Sequence, residues 1–195
     1  MQIDSVSSVL DISRGALAAT LEAVAQVTPD DLHRPTPCAR WDVESLLRHM
    51  TGQHRGFATS ARGVRPQRQD FAPALDADPI AGYRAASEQV EQAFAGVTSG
   101  DVLWLPELSE ERAFPAPLAV GFHTIDYVIH AWDVARSVGY HLAVPDSVVE
   151  PALNLARSLP APRGPGGPFL TEIEISPGMD PLDQLLAWSG RNPAA

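Results

Sequence analysis

The chain contains no lysine: all fourteen of its basic residues are arginines, set against twenty-four acids. The resulting formal charge of -10 repels phosphate backbones, so nucleic acid is not an expected partner. Cysteine is nearly absent. The single Cys38 excludes an intrachain disulfide framework and suits a reducing, cytoplasmic setting. No run approaches the ~18 consecutive apolar residues of a membrane span. Residues 1–10, MQIDSVSSVL, lack the basic-then-apolar order of a secretory signal. Missing lysine together with abundant alanine, arginine and proline points to a GC-rich genome, which concerns the source and not the chemistry.

What is present suffices for one domain. Of 195 residues, 45% are hydrophobic, enough to bury a core without staples. Residues 5–27 carry Val6, Val9, Leu10, Leu17, Leu21 and Val24 at helical spacings, and Pro29 stands beyond the end. A Pro-rich connector leads to a second helix over 42–61, with Asp42 as its N-cap and Val43, Leu46, Leu47, Met50 and Phe57 as its apolar stripe. Residues 62–78 read as a loop. A third helix covers 79–95, with Gly96 in the capping position. Prolines 106, 115 and 117 break up residues 97–117 into an ordered loop with room for a short hairpin. A fourth helix follows over 118–138, a fifth over 148–159 and a short last one over 181–188. The expected fold is all-α: a bundle over about 5–139 and a C-terminal extension over about 140–195.

Chemistry concentrates on the fourth helix, GFHTIDYVIHAWDVARSVG. Asp126 and His130 stand four residues apart, ~6 Å of rise and ~40° of rotation, so both leave one face and can reach one ion. The expected apolar stripe is Phe122, Ile125, Ile129 and Trp132, with the acid and the imidazole at its border. His123 shares their face but lies ~10.5 Å from His130 along the axis, too far for the same ion. His49 on the second helix offers a third ligand, and Gln53 and His54 follow one turn on. The plainer reading of Asp-x-x-x-His is an ion pair on a solvated face, and of His49 a satisfied histidine. His54 and His123 are expected in supporting roles. Cys38 is a rival centre, since the following helix dipole can lower a thiol pKa and His33 could serve as base. Its plainer reading is a small residue in a tight connector, with Trp41 plugging the helix entrance.

Three stretches together carry a family resemblance. Residues 36–43 (TPCARWDV) lead into Leu46-Leu47-Arg48-His49, Asp126-x-x-x-His130-Ala-Trp132-Asp133-Val-Ala-Arg136 follows, and Leu185 to Pro193 (LLAWSGRNP) closes the chain. In this order they resemble the DinB-like superfamily, in the branch of the mycothiol-dependent maleylpyruvate isomerase N-terminal domain and its actinobacterial relatives. The resemblance implies a DinB-like four-helix bundle with a divalent ion held by His49, Asp126 and His130. It also implies a low-molecular-weight thiol, mycothiol, as cosubstrate. Two departures stand out. The loop LPELSEERAFPAPLAV does not follow the family's Gly-containing pattern, and ~50 residues beyond the fourth helix are too few for the sterol-carrier-like domain of the isomerase. Isomerisation of maleylpyruvate itself is therefore not implied.

Three protein ligands leave part of a coordination shell free for a substrate. A thiol bound there is deprotonated, whereas a free thiol has a pKa near ~8.5. The expected activity is S-transfer to, or thiol-assisted isomerisation of, a small electrophile. The alternatives are a metal-water hydrolase on the same ligands and a non-catalytic metal- or ligand-binding bundle. Zinc suits two imidazoles and a carboxylate best, while nickel, iron or manganese tolerate the same set. Arg136 and Arg191 could grip anionic groups, surface ion pairs being the plainer role. The expected partners are a small molecule and a thiol, without membrane, and with homodimerisation left open.

Overall fold

The computed structural model describes residues 6–38, 41–159, 164, 169–174 and 178–194. Four long helices form the bundle: α1 (Val6–Val24), α2 (Val43–Ala61), α3 (Pro79–Ala95) and α4 (Ala116–Ser137). Local chemistry sets their ends. Asp42 Oδ1 accepts from the Ser45 amide at 2.9 Å, and Asp78 Oδ1 caps α3 through the amides of Ile80 and Ala81, with Pro79 in the first turn. Beyond α4, Gly139 takes a φ of +71°, which lets the Tyr140 amide return to the Ala135 carbonyl at 2.9 Å. Residues 97–115 hold the short hairpin, β1 (Val102–Leu103) against β2 (Phe114–Pro115).

α1 packs along α4 and α2 along α3, and α2 also meets α4, which brings His49 toward the His130 turn. The expected single stripe on α4 is too narrow. Ile125 and Ile129 are buried, but Phe122 and Trp132 are only half-buried, while Val120, His123, Tyr127, Val128 and Val134 are buried as well. The reason is that α1, α2 and α5 (Asp146–Ser158) all pack on α4, so its apolar surface extends well round the helix. Residues of α5 and Trp188 of α6 (Pro181–Trp188) belong to the same hydrophobic cluster as the bundle. Among the described residues, no helix is long and apolar enough to cross a membrane.

The loop over 62–78 is more than a connector. Its 3-10 turn, Arg68–Phe71, lies directly on α2. A Cβ on Gly52 would stand 2.1 Å from the Ala72 carbonyl oxygen, and one on Gly56 2.4 Å from the Phe71 ring. The two glycines, one turn apart, let a backbone and an aromatic ring close on the helix beside Gln53.

Candidate metal centre

Three side chains from α2 and α4 converge. His49, Asp126 and His130 each offer a ligand atom, and these atoms lie within 4.8 Å of one another. Among the described residues no other group of three such side chains does so. The His49 and His130 rings meet edge to face with centroids 5.7 Å apart. His130 Nε2 lies 3.4 Å from Asp126 Oδ1, a separation that one ion bound to both at ~2.0–2.2 Å can span. His130 is buried and Asp126 half-open, so the donors line a recess with one exposed side. Two imidazoles and a carboxylate fit a borderline divalent cation.

A second layer orients the first. The other His130 nitrogen, Nδ1, lies 2.9 Å from Asp133 Oδ2. Nδ1–H donates to that carboxylate, leaving Nε2 to face Asp126. Asp133 is fully buried and is itself held by Arg191, whose NH2 group donates to Oδ2 at 3.0 Å and whose Nε donates to Oδ1 at 3.4 Å. Arg191 is 7% exposed. It is neither a surface ion pair nor a free anion clamp, because its guanidinium is spent on Asp133. Trp41 is also more than a plug at the helix start. Its ring stacks on His49 at 4.4 Å and lies 6.1 Å from His130, walling one side of the recess.

Residues 13–135 match the family described as mycothiol maleylpyruvate isomerase N-terminal domain. The chain belongs to that family. Uncharacterized proteins from two strains of Mycobacterium tuberculosis are 31% identical over 182 residues, covering 92% of this chain and 93% of their own length. The crystal structure of the mycothiol-dependent maleylpyruvate isomerase superposes with a TM-score of 0.59 at 12% identity, over 76% of this chain and 67% of that one. A histidine-to-alanine variant of that enzyme gives the same score at 11% identity. These likenesses establish the DinB-like fold. The part matched to the isomerase N-terminal domain family holds His49, Asp126, His130 and Asp133, while Arg191 reaches the site from beyond it.

His54 and His123 take no place in the recess. They form a separate buried pair, His54 Nδ1 lying 3.1 Å from His123 Nε2. The Tyr127 ring stacks on both at 4.1 Å, and its hydroxyl donates to the Met50 carbonyl. Burial pushes the His123 pKa down to about 3 and holds His54 well below the usual histidine range, so both are neutral. His33 is exposed, with Nδ1 3.8 Å from Asp42 and 3.9 Å from Glu44. Cys38 is half-buried, and Arg136 is exposed on the last turn of α4.

The charges in the recess are strongly coupled. Burial alone lowers His130, but the carboxylates of Asp126 and Asp133 outweigh it and lift its pKa to about 9. Burial raises Asp126, yet the charge and the hydrogen bond of His130 hold it well below the usual carboxylate range. His130 is thus protonated at neutral pH, and capture of an ion at Nε2 must expel that proton. Below the raised pKa, proton and metal compete, so zinc affinity is expected to climb about tenfold per pH unit from 7 to 9 and then level. Calorimetric titration in buffers of different ionisation enthalpy checks this, with one proton released per ion at pH 7. An affinity flat between pH 7 and 9 contradicts the assignment of His130 as a ligand.

Proposed function

We propose that the protein is a divalent-metal-dependent thiol S-transferase or thiol-assisted isomerase, using mycothiol on a small electrophilic molecule. The observation carrying this reading is the His49–Asp126–His130 cluster, open on one side, in a chain of the mycothiol maleylpyruvate isomerase N-terminal domain family. Family membership favours a thiol over water as the nucleophile. The named activity of the superposing enzyme, a mycothiol-dependent isomerisation, makes both reaction types natural for this recess.

A divalent ion held by the three residues supplies a positive centre at which a thiol exists as thiolate near neutral pH. Asp133 and Arg191 keep His130 in the tautomer that turns Nε2 toward the recess. Trp41 stacks on the His49 ring and steadies its orientation. The chain thereby fixes the sulfur's position and removes part of the entropic barrier to attack. In transfer by addition, a C–S bond forms as a C=C or C=O π bond of the electrophile breaks, and the displaced electron pair takes up the proton that the thiol gave up. In isomerisation, the same bond breaks again after rotation, and the thiol is returned.

The test is turnover of a panel of small electrophiles by protein loaded with zinc, nickel, iron or manganese, with and without mycothiol. Product formation is expected only when both metal and thiol are present. Turnover that ignores the thiol would overturn the reading in favour of a hydrolase. Tight metal binding without turnover of any electrophile would leave a non-catalytic bundle.

A further inference from the structure

The loop between β1 and β2 places an acid against α2, one turn beyond His49. Gln53 sits on α2 one turn beyond His49, buried, and its Nε2 donates to Glu107 Oε2 at 2.9 Å and to the Phe71 carbonyl at 3.4 Å. Glu107 is exposed. Partial desolvation raises its carboxyl pKa, the Gln53 hydrogen bond opposes this, and the Asp126 carboxylate raises it further. Glu107 and Asp126 are therefore close enough for their charges to couple. The loop is tied down on its other side: Arg68 Nε donates to Glu110 Oε1 at 2.6 Å, Arg65 donates to the Glu110 carbonyl at 2.6 Å, and the Arg65 guanidinium lies 3.9 Å over the Trp104 ring. Arg68, the cation acting on Glu107, is thus engaged by Glu110.

We propose that Glu107 sets the charge preference of this recess, selecting substrates that are uncharged or cationic next to the reacting group and disfavouring carboxylated ones. The inference rests on the metal–thiol reading above. Two positive charges of a divalent ion would be balanced by Asp126 and a bound thiolate, which leaves Glu107 as an extra negative charge near the cluster, offset only in part by Arg68. The other nearby cation, Arg191, is consumed by Asp133. Within a Debye length and under partial solvent screening, one like charge costs several-fold in affinity and one unlike charge gains as much. A dicarboxylic substrate such as maleylpyruvate meets a repelling charge here.

The experiment measures binding of three thiols of similar size to the zinc-loaded protein by calorimetry at pH 8: cysteamine (cationic), 2-mercaptoethanol (neutral) and 3-mercaptopropionate (anionic). Intrinsic differences among the thiols cancel when wild type is compared with Glu107→Gln, a variant that keeps the amide partner for Gln53. The cysteamine-to-mercaptopropionate affinity ratio is expected to fall at least about tenfold in Glu107→Gln, and the effect to shrink as salt rises. Glu111→Gln, the same charge change on an exposed residue of the same loop, is expected to leave the ratio alone. A ratio unchanged in Glu107→Gln, or shifted equally by Glu111→Gln, overturns this inference while thiol binding at the metal stands. If no thiol binds the zinc-loaded wild type, the metal–thiol reading fails, and this inference falls with it.

Discussion

Replacing His130 by alanine is expected to lower zinc affinity by at least about a hundredfold and to remove the thiol dependence altogether. The size follows from sharing out a zinc site: about 10–16 kcal/mol for four ligands is roughly 3 kcal/mol each, and every 1.4 kcal/mol is tenfold. Of the three candidate ligands, His130 is the one most committed by its surroundings. Its Nδ1 is taken by Asp133 at 2.9 Å and its Nε2 is directed at Asp126 at 3.4 Å, so no neighbouring side chain can replace it. The fold is expected to survive, because Asp133 keeps Arg191 as counterion and Asp126 is half-open to water. Metal analysis after dialysis and a competition assay with a chromophoric chelator read the affinity, and circular dichroism reads the fold. His33→Ala, at an exposed histidine outside the cluster, is the control and should keep a full equivalent of metal. A full equivalent retained by His130→Ala would remove His130 from the ligand set.

The parts of the molecule that could be read in advance are those whose signal is local. Helix ends follow from caps within three residues, as Asp42 and Asp78 show. The Asp126–His130 pair is legible because one helical turn is a fixed distance. The third candidate, His49, is suggested by its place beside the Leu46 and Met50 stripe of the second helix, and the family resemblance strengthens it, since no spacing links residues 77 positions apart. What stayed hidden depends on contacts between distant segments. Arg191 meets Asp133 across 58 positions and Glu107 meets Gln53 across 54, and no periodicity announces either. The burial of His54 against His123, 69 positions apart, is of the same kind. Two local signals do point to such contacts. Asp133 stands three residues after His130, the spacing at which a carboxylate can hold an imidazole on a helix. Gly52 and Gly56, one turn apart, mark a face of α2 on which another backbone closes.

Arg191→Ala is expected to cost about 3 kcal/mol of stability, seen as a fall in Tm of roughly 6–12 °C for a chain of this size. Arg191 is 7% exposed and Asp133 is fully buried, so removal of the guanidinium strands a carboxylate away from water. Burial raises Asp133, and the His130 hydrogen bond and Arg191 bring it back below the usual carboxylate range. In the variant without metal, protonated His130 still faces Asp133, which keeps the loss at the lower end of the range for broken buried pairs. Binding an ion takes that proton away and leaves Asp133 only a neutral donor. Arg191→Ala should therefore weaken zinc binding about 10–100-fold, although Arg191 touches no ligand atom of the cluster. The stability loss should grow when zinc is added to wild type and variant alike, because the ion stabilises only the protein that binds it well. The double variant Asp133→Asn/Arg191→Met separates the two effects. Removing both charges is expected to recover most of the Tm while metal affinity stays low, because a neutral amide no longer supports His130 as a ligand. Recovery of both quantities together would mean that the buried pair holds the tail in place and does nothing for the histidine.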